Sequence, residues 1–172
     1  MIGLVSGCDI TASFAGDESL NSRPMKRVLH PLSQSGAEIL SNDNKLPITI
    51  KGNKIPIPIK YNSPLSSAQV KSCVLLSGLT STGNTSYSEK VKSRDHTEKM
   101  LHFMGAEINS NSLNDGTNKI ELKGLPYLKG KHFNIPNDPS SAAFPSAAAL
   151  IIPDSEVKIK NICLNALRTG FY

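Results

Sequence analysis

Gly36-Ala37-Glu38-Ile39 returns 69 residues later as Gly105-Ala106-Glu107-Ile108. Two further markers recur in the same order. Ile48-Thr49-Ile50-Lys51-Gly52 is echoed by Ile120-Glu121-Leu122-Lys123-Gly124 at an offset of 72, and Ser66-Ser67-Ala68 by Ser140-Ser141-Ala142 at an offset of 74. Offsets that creep upward are what a duplicated folding unit gives when its loops differ by a few residues, because a longer surface loop costs little stability.

Outward from these markers, the periodicities fill in each copy. Pro24 to Ser35 reads as a helix with Pro in its first turn, bent at Pro31 and closed by Gly36 in the left-handed conformation. In Ser67 to Leu79 the residues Val70, Cys73 and Val74 fall at i, i+3 and i+4 and predict one buried helical face. Ser93 to Met104 reads as a third helix with a Ser cap, grouping Met100, Leu101 and Met104 and ending at Gly105. Asp138-Pro139 opens a fourth, Asp as cap and Pro as first helical residue. Short β-type runs lie between: Glu38-Ile39-Leu40, Ile48-Thr49-Ile50, Ile55 to Ile59, Glu107-Ile108 and Ile120-Glu121-Leu122. Asp43-Asn44 and Asn114-Asp115-Gly116 are hairpin signals. The expected class is α/β (α+β), helices over sheets in a repeated unit. Gly124 to Gly130 interrupts the pattern and is the candidate boundary; beyond it one helix and one strand, Glu156 to Cys163, are expected.

Composition bounds the function. The 172 residues suffice for one domain or parts of two. With 38% hydrophobic and 19% charged residues the chain is neither disordered nor a coiled coil. A net charge of +5 suits an anionic partner. Aromatic residues are 5% with no Trp, so stacking platforms for single-stranded nucleic acid are scarce, and the Lys and Arg residues are scattered. Cys8, Cys73 and Cys163 form no CxxC pair and predict free thiols rather than a disulfide framework or zinc site. No apolar run reaches the roughly 18 residues of a membrane span and Met1-Ile2-Gly3-Leu4 lacks a charged leader start, so the expected location is the cytoplasm, away from membranes. P-loop, HExxH and GxSxG patterns are absent, which disfavours nucleotide hydrolysis, zinc proteolysis and serine hydrolysis; the four His residues have no metal-gathering spacing.

Small hydroxyls and arginines gather at helix starts. Ser66-Ser67-Ala68-Gln69 opens one helix and Ser93-Arg94-Asp95-His96 another; such ends offer unpaired N–H groups and partial positive charge to a phosphate or carboxylate, although for each start taken singly ordinary capping is the simpler account of Ser. Arg23, just before Pro24, could grip a carboxylate in two places, or be a solvated neighbour of Lys26 and Arg27. His96 is either a base or a hydrogen-bonded structural residue.

Five motifs in register resemble a known family. Gly16-Asp17-Glu18-Ser19-Leu20, Ser22-Arg23-Pro24-Met25, Ser67-Ala68-Gln69-Val70-Lys71-Ser72, Ser93-Arg94-Asp95-His96-Thr97-Glu98-Lys99-Met100-Leu101 and Asp138-Pro139-Ser140-Ser141-Ala142-Ala143-Phe144, followed by Arg168-Thr169-Gly170, are similar in order to the 5-enolpyruvylshikimate-3-phosphate synthase family, and look like its glyphosate-tolerant class II. The resemblance implies transfer of the enolpyruvyl group of phosphoenolpyruvate to the 5-hydroxyl of shikimate 3-phosphate, with no metal or organic cofactor, in a monomer. It implies a two-domain fold of repeated βαβαββ units, incomplete here: residues 1–127 as part of the N-terminal domain and residues 128–172 as the start of the C-terminal one. By motif, Arg23 and Gln69 resemble phosphoenolpyruvate-binding residues, while Ser67, Ala68, Gln69 and Arg94 resemble shikimate 3-phosphate-binding ones; Ala68 would act through its backbone. The family's upstream Lys-Ser pair and downstream proton-transfer residues have no counterpart, so no catalytic residue is assigned, the chain looks cut at both ends, and inactivity alone is expected. Asn137 stands where relatives carry Gly. Rival readings are a non-catalytic phosphate-metabolite-binding remnant and a relative of the enzyme that transfers the same group to UDP-N-acetylglucosamine. The latter depends on a loop Cys motif that none of the three cysteines matches.

Overall fold

A computed structural model describes residues 1–171. Its first unit, Met1–Gly130, contains in chain order α1 (Ile2–Ser6), β1 (Thr11–Phe14), α2 (Glu18–Asn21), α3 (Lys26–Ser33), β2 (Glu38–Asn42), β3 (Lys45–Lys51), β4 (Lys60–Asn62), α4 (Ala68–Ser77), a 3-10 turn at Gly78–Thr80, β5 (Asn84–Glu89), α5 (His96–Phe103), β6 (Ile108–Ser112) and β7 (Asn118–Lys123). Residues 60–123 thus run βαβαββ. The strand orders repeat too: β1-β3-β2 in one sheet, β5-β7-β6 in the other, where β4 adds a parallel strand on the far side of β5 and α4 forms the crossover between them.

The echoed residues occupy equivalent places, which is the physical content of the repeat. Gly36 and Gly105 follow α3 and α5 with φ of +84° and +104°, a region that a Cβ makes costly. The next two strands are joined at Asp43-Asn44, both left-handed as a type I′ turn requires, or through Asn114-Asp115-Gly116. Glu38 then meets Lys51 at 2.7 Å, and Glu107 meets Lys123 at 2.9 Å. One cross-strand ion pair is built twice, from the Glu of the first marker and the Lys of the second.

Each sheet covers its own core. Leu46, Ile48 and Ile50 alternate along β3 and pack with Val5, Leu29 and Ala37. Ile120 and Leu122 of β7 pack with Tyr87, Leu101 and the α4 residues Val70, Cys73, Val74 and Leu75. The face expected of Val70, Cys73 and Val74 is buried, and burial extends further around α4 because α1, α3 and β5 all lie against it.

Several elements differ from expectation. The Ile55 to Ile59 run is not a strand: Pro56 and Pro58 cannot donate to a ladder, and pairing begins only at Lys60. The first expected helix is narrower, Lys26–Ser33, with Met25 rather than Pro24 at its entry. The strands β1 and β5 were not anticipated. In β5, Asn84-Thr85-Ser86-Tyr87-Ser88-Glu89 lacks apolar alternation, and its Thr85, Ser86 and Glu89 are buried as polar residues.

The second unit, Lys131–Tyr172, is built around α6 (Pro139–Ile151). Asp138 caps it, accepting the Ser140 and Ser141 N–H groups at 3.2 Å each, and Arg168 donates to Asp138 at 3.1 Å and to Ser140. In the third marker Ser67 is itself the cap of α4, whereas Ser141 lies inside the first turn of α6 because Asp138 has taken the capping position. The expected strand at Glu156 to Cys163 is reduced to one parallel bridge, Asn137 with Ile162, since this unit offers it no neighbouring strand among the described residues. Asn137 anchors that bridge, its N–H donating to the Asn161 carbonyl at 2.7 Å and its side-chain amide to the Lys160 carbonyl at 3.0 Å. Among the described residues no helix is long and apolar enough to cross a membrane.

Candidate anion-binding site

Ser67 starts α4 in extended conformation, and its Oγ accepts the Val70 N–H at 3.4 Å. The Tyr87 hydroxyl donates to the Ser67 carbonyl at 3.3 Å, fixing the helix entry against β5. The capping role that Ser chemistry allows is therefore realised. The first N–H groups of α4 beyond the one that Ser67 caps have no intrahelical acceptor, as at any helix start.

Two hollows flank this start. One, of about 280 Å3, is lined by Arg23, Arg27, Gln69 and Cys73 among others. The second, of about 350 Å3, is lined by Ala68, Gln69, Ser72, Arg94, His96 and Thr97. Gln69 belongs to both. The structure thus brings Arg23 together with Gln69, and Ala68 and Gln69 together with Arg94, while Ser67 lines neither hollow and sits one residue behind as the cap. Among the described residues no carboxylate pairs with Arg23, Arg27 or Arg94, so their charge is available to a ligand. Cys73 is no nucleophile: burial pushes its thiol up to about 12, far from thiolate at neutral pH.

Arg94 lies in the loop from β5 to α5, and a buried ion cluster fixes that loop. Ser93 does not cap α5 as its sequence suggested. Its N–H donates to Glu89 Oε1 at 2.9 Å and its hydroxyl to Glu89 Oε2 at 2.7 Å, so the Glu89 carboxylate captures both groups and the helix begins only at His96, with Asp95 in the capping position. Lys71, 1% exposed, donates to Glu89 Oε1 at 3.1 Å and to the Ser93 carbonyl at 3.0 Å, and its ammonium forms an ion pair with Glu98 Oε1 at 2.7 Å. Ser93 is held at three atoms, and Arg94 follows it directly. A hydroxyl contact of 2.6 Å between Ser72 and Thr97 ties α4 to α5 beside the second hollow. The other Glu98 oxygen, Oε2, is buried without a partner among the described residues.

Sequence reasoning missed Arg27, Ser72, Thr97 and the Lys71 cluster. Arg27 stands beside Lys26 among surface cations, and no local pattern marks it, because its partner Gln69 lies 42 residues away.

Comparison with known proteins converges on one family. The model of the EPSP synthase family (3-phosphoshikimate 1-carboxyvinyltransferase) matches residues 1–172. The 3-phosphoshikimate 1-carboxyvinyltransferase of Methylorubrum extorquens is 48% identical over 99% of this chain and 38% of its own length. The same-named protein of Chelativorans sp. is 48% identical over 98% of this chain and 38% of its own. A solved EPSP synthase from Acinetobacter baumannii superposes with a TM-score of 0.79 at 37% identity, covering 98% of this chain and 37% of that one. The chain spans about 38% of the length of these curated relatives.

Proposed function

Because the chain belongs to the EPSP synthase family, we propose that it carries part of the binding surface for shikimate 3-phosphate and phosphoenolpyruvate, the substrates of enolpyruvyl transfer to the shikimate 5-hydroxyl with release of phosphate. The observation that carries this reading is the place of Gln69 between two hollows, one holding Arg23 and the other Arg94. Two polyanions that must meet require separate cations and a shared polar contact between them. Phosphoenolpyruvate takes the Arg23 side, where a planar guanidinium matches a carboxylate or phosphate in two places. Shikimate 3-phosphate takes the Arg94 side, its phosphate meeting the guanidinium and the exposed N–H groups at Ala68 and Gln69, with Ser67 holding the helix entry.

In the reaction, convergent positive charge first draws the anions together and then stabilises the charge that builds on departing phosphate. The residues described here bind and orient; none of them is assigned the proton transfers. A reducing cytoplasm suits Cys8, Cys73 and Cys163, none of which forms a disulfide. Calorimetric titration of the 172-residue chain with shikimate 3-phosphate tests the reading: Arg94→Ala weakens binding by on the order of tenfold or more, as loss of a charge-assisted contact does. Unchanged affinity, or no binding by the wild-type chain, would refute it.

A further inference from the structure

Arg27 extends from the first turn of α3 to the first turn of α4. Its Nη2 donates to Gln69 Oε1 at 2.8 Å, joining residues 42 apart in sequence at the wall of the first hollow. No other partner of Arg27 or of the Gln69 side chain occurs among the described residues. This contact has a chemical consequence. A carboxamide is an acceptor at oxygen and a double donor at nitrogen, whereas a guanidinium only donates. An arginine beside the amide therefore settles which end is which: the oxygen faces Arg27, since the flipped amide would set donor against donor. The NH2 group is left for another partner. Carboxylates and phosphates offer acceptors only, so a glutamine whose oxygen is already occupied meets them with the matching group.

We propose that Arg27 is a positioning residue for anion binding, acting through Gln69 by holding its amide oxygen so that its NH2 donates to a carboxylate or phosphate in the first hollow. The proposal rests on the reading of that hollow as the phosphoenolpyruvate site. It differs from a direct charge effect in one measurable respect: if Arg27 works through Gln69, its removal matters only while Gln69 is present.

The test is titration of phosphoenolpyruvate into the 172-residue chain for wild type, Arg27→Ala, Gln69→Ala and the double variant, with circular dichroism confirming that each is folded; both side chains are exposed, so folding is not at stake. Arg27→Ala and Gln69→Ala each weaken binding by roughly tenfold, and the double variant is no weaker than Gln69→Ala alone. In 15N spectra of the free wild-type chain, the Gln69 NH2 resonances shift when Arg27 is replaced by Ala. Two losses that multiply in the double variant would show Arg27 acting by its own charge and overturn the proposal, as would an Arg27→Ala chain that binds like wild type. Failure of the underlying reading looks different: Arg23→Ala would then bind phosphoenolpyruvate as well as wild type does, or the wild-type chain would not bind it, and the role of Arg27 would fall with the site.

Discussion

Replacing Lys71 by Met should be among the most damaging single changes in the chain. Met preserves volume and the apolar stem but removes the ammonium that Glu89, Glu98 and the Ser93 carbonyl all share, leaving two carboxylates facing each other in a site where Lys71 and Glu89 are 1% and 0% exposed at the side chain. Breaking a buried ion pair by deleting one partner costs about 3–5 kcal/mol. In a chain of this size that corresponds to a fall in melting temperature of roughly 10–15 °C. The companion change Glu98→Gln should cost far less, on the order of 1 kcal/mol. Lys71 keeps Glu89 and the Ser93 carbonyl, one of two buried negative charges disappears, and the oxygen replaced by NH2 had no partner among the described residues to lose. Urea unfolding followed by circular dichroism, since the chain has no Trp, measures both. A Lys71→Met chain within about 1 kcal/mol of wild type, or a Glu98→Gln chain as unstable as Lys71→Met, would refute the account of the cluster as a lysine-centred clamp.

Two further outcomes follow from burial. The Cys73 thiol, pushed up from 9.0 to about 12 by desolvation, makes stability fall in alkali. Below pH 9 folded and unfolded chains both keep the proton and stability is full; between pH 9 and 12 only the unfolded chain releases it, a loss of up to about 4 kcal/mol at the upper end. Unfolding measured at pH 8, 9, 10 and 11 should show a steeper decline for wild type than for Cys73→Ala, and equal declines would contradict the burial argument. At Gly52 a Cβ would lie 2.0 Å from the Cys8 carbonyl oxygen and 2.3 Å from that of Val5, so Gly52→Ala should cost about 2–3 kcal/mol, whereas Gly130→Ala, with open space around it, should be neutral in the same unfolding assay.

What the sequence made legible was local. Ser67 as cap, the Val70, Cys73 and Val74 face, the left-handed Gly36 and Gly105 and the Asp43-Asn44 turn each depend on residues within a few positions of one another. The repeat extended that reach by letting one copy inform the other. β5 was illegible because Thr85, Ser86 and Glu89 are buried through tertiary partners, among them Ile59, Lys71 and Ser93, that no periodicity announces. Ser93 misled for the same reason: a Ser shortly before a helical run, here seven residues ahead of Met100, resembles a cap until a carboxylate from the preceding strand claims it. For the site, motif resemblance pointed to Arg23, Gln69 and Arg94, but the contact between Arg27 and Gln69 spans two helices and appears only when they are packed.

The twin ion pairs, Glu38 with Lys51 and Glu107 with Lys123, also mean that a folding chain carries two hairpins that look alike from outside, each able to offer itself to the other's waiting strand. Such an impostor pairing is a natural kinetic trap for a duplicated architecture. The polar interior of the second sheet acts as the password against it. Thr85 receives the Ile59 N–H, Asn118 the Ser110 hydroxyl and Glu89 the Lys71 ammonium, whereas the first hairpin carries the buried Leu46 at the place of Asn118, so a swapped hairpin would set an apolar side chain where the second sheet is built with a polar pair. The costliest residues to bury are thus the ones that tell the two halves apart.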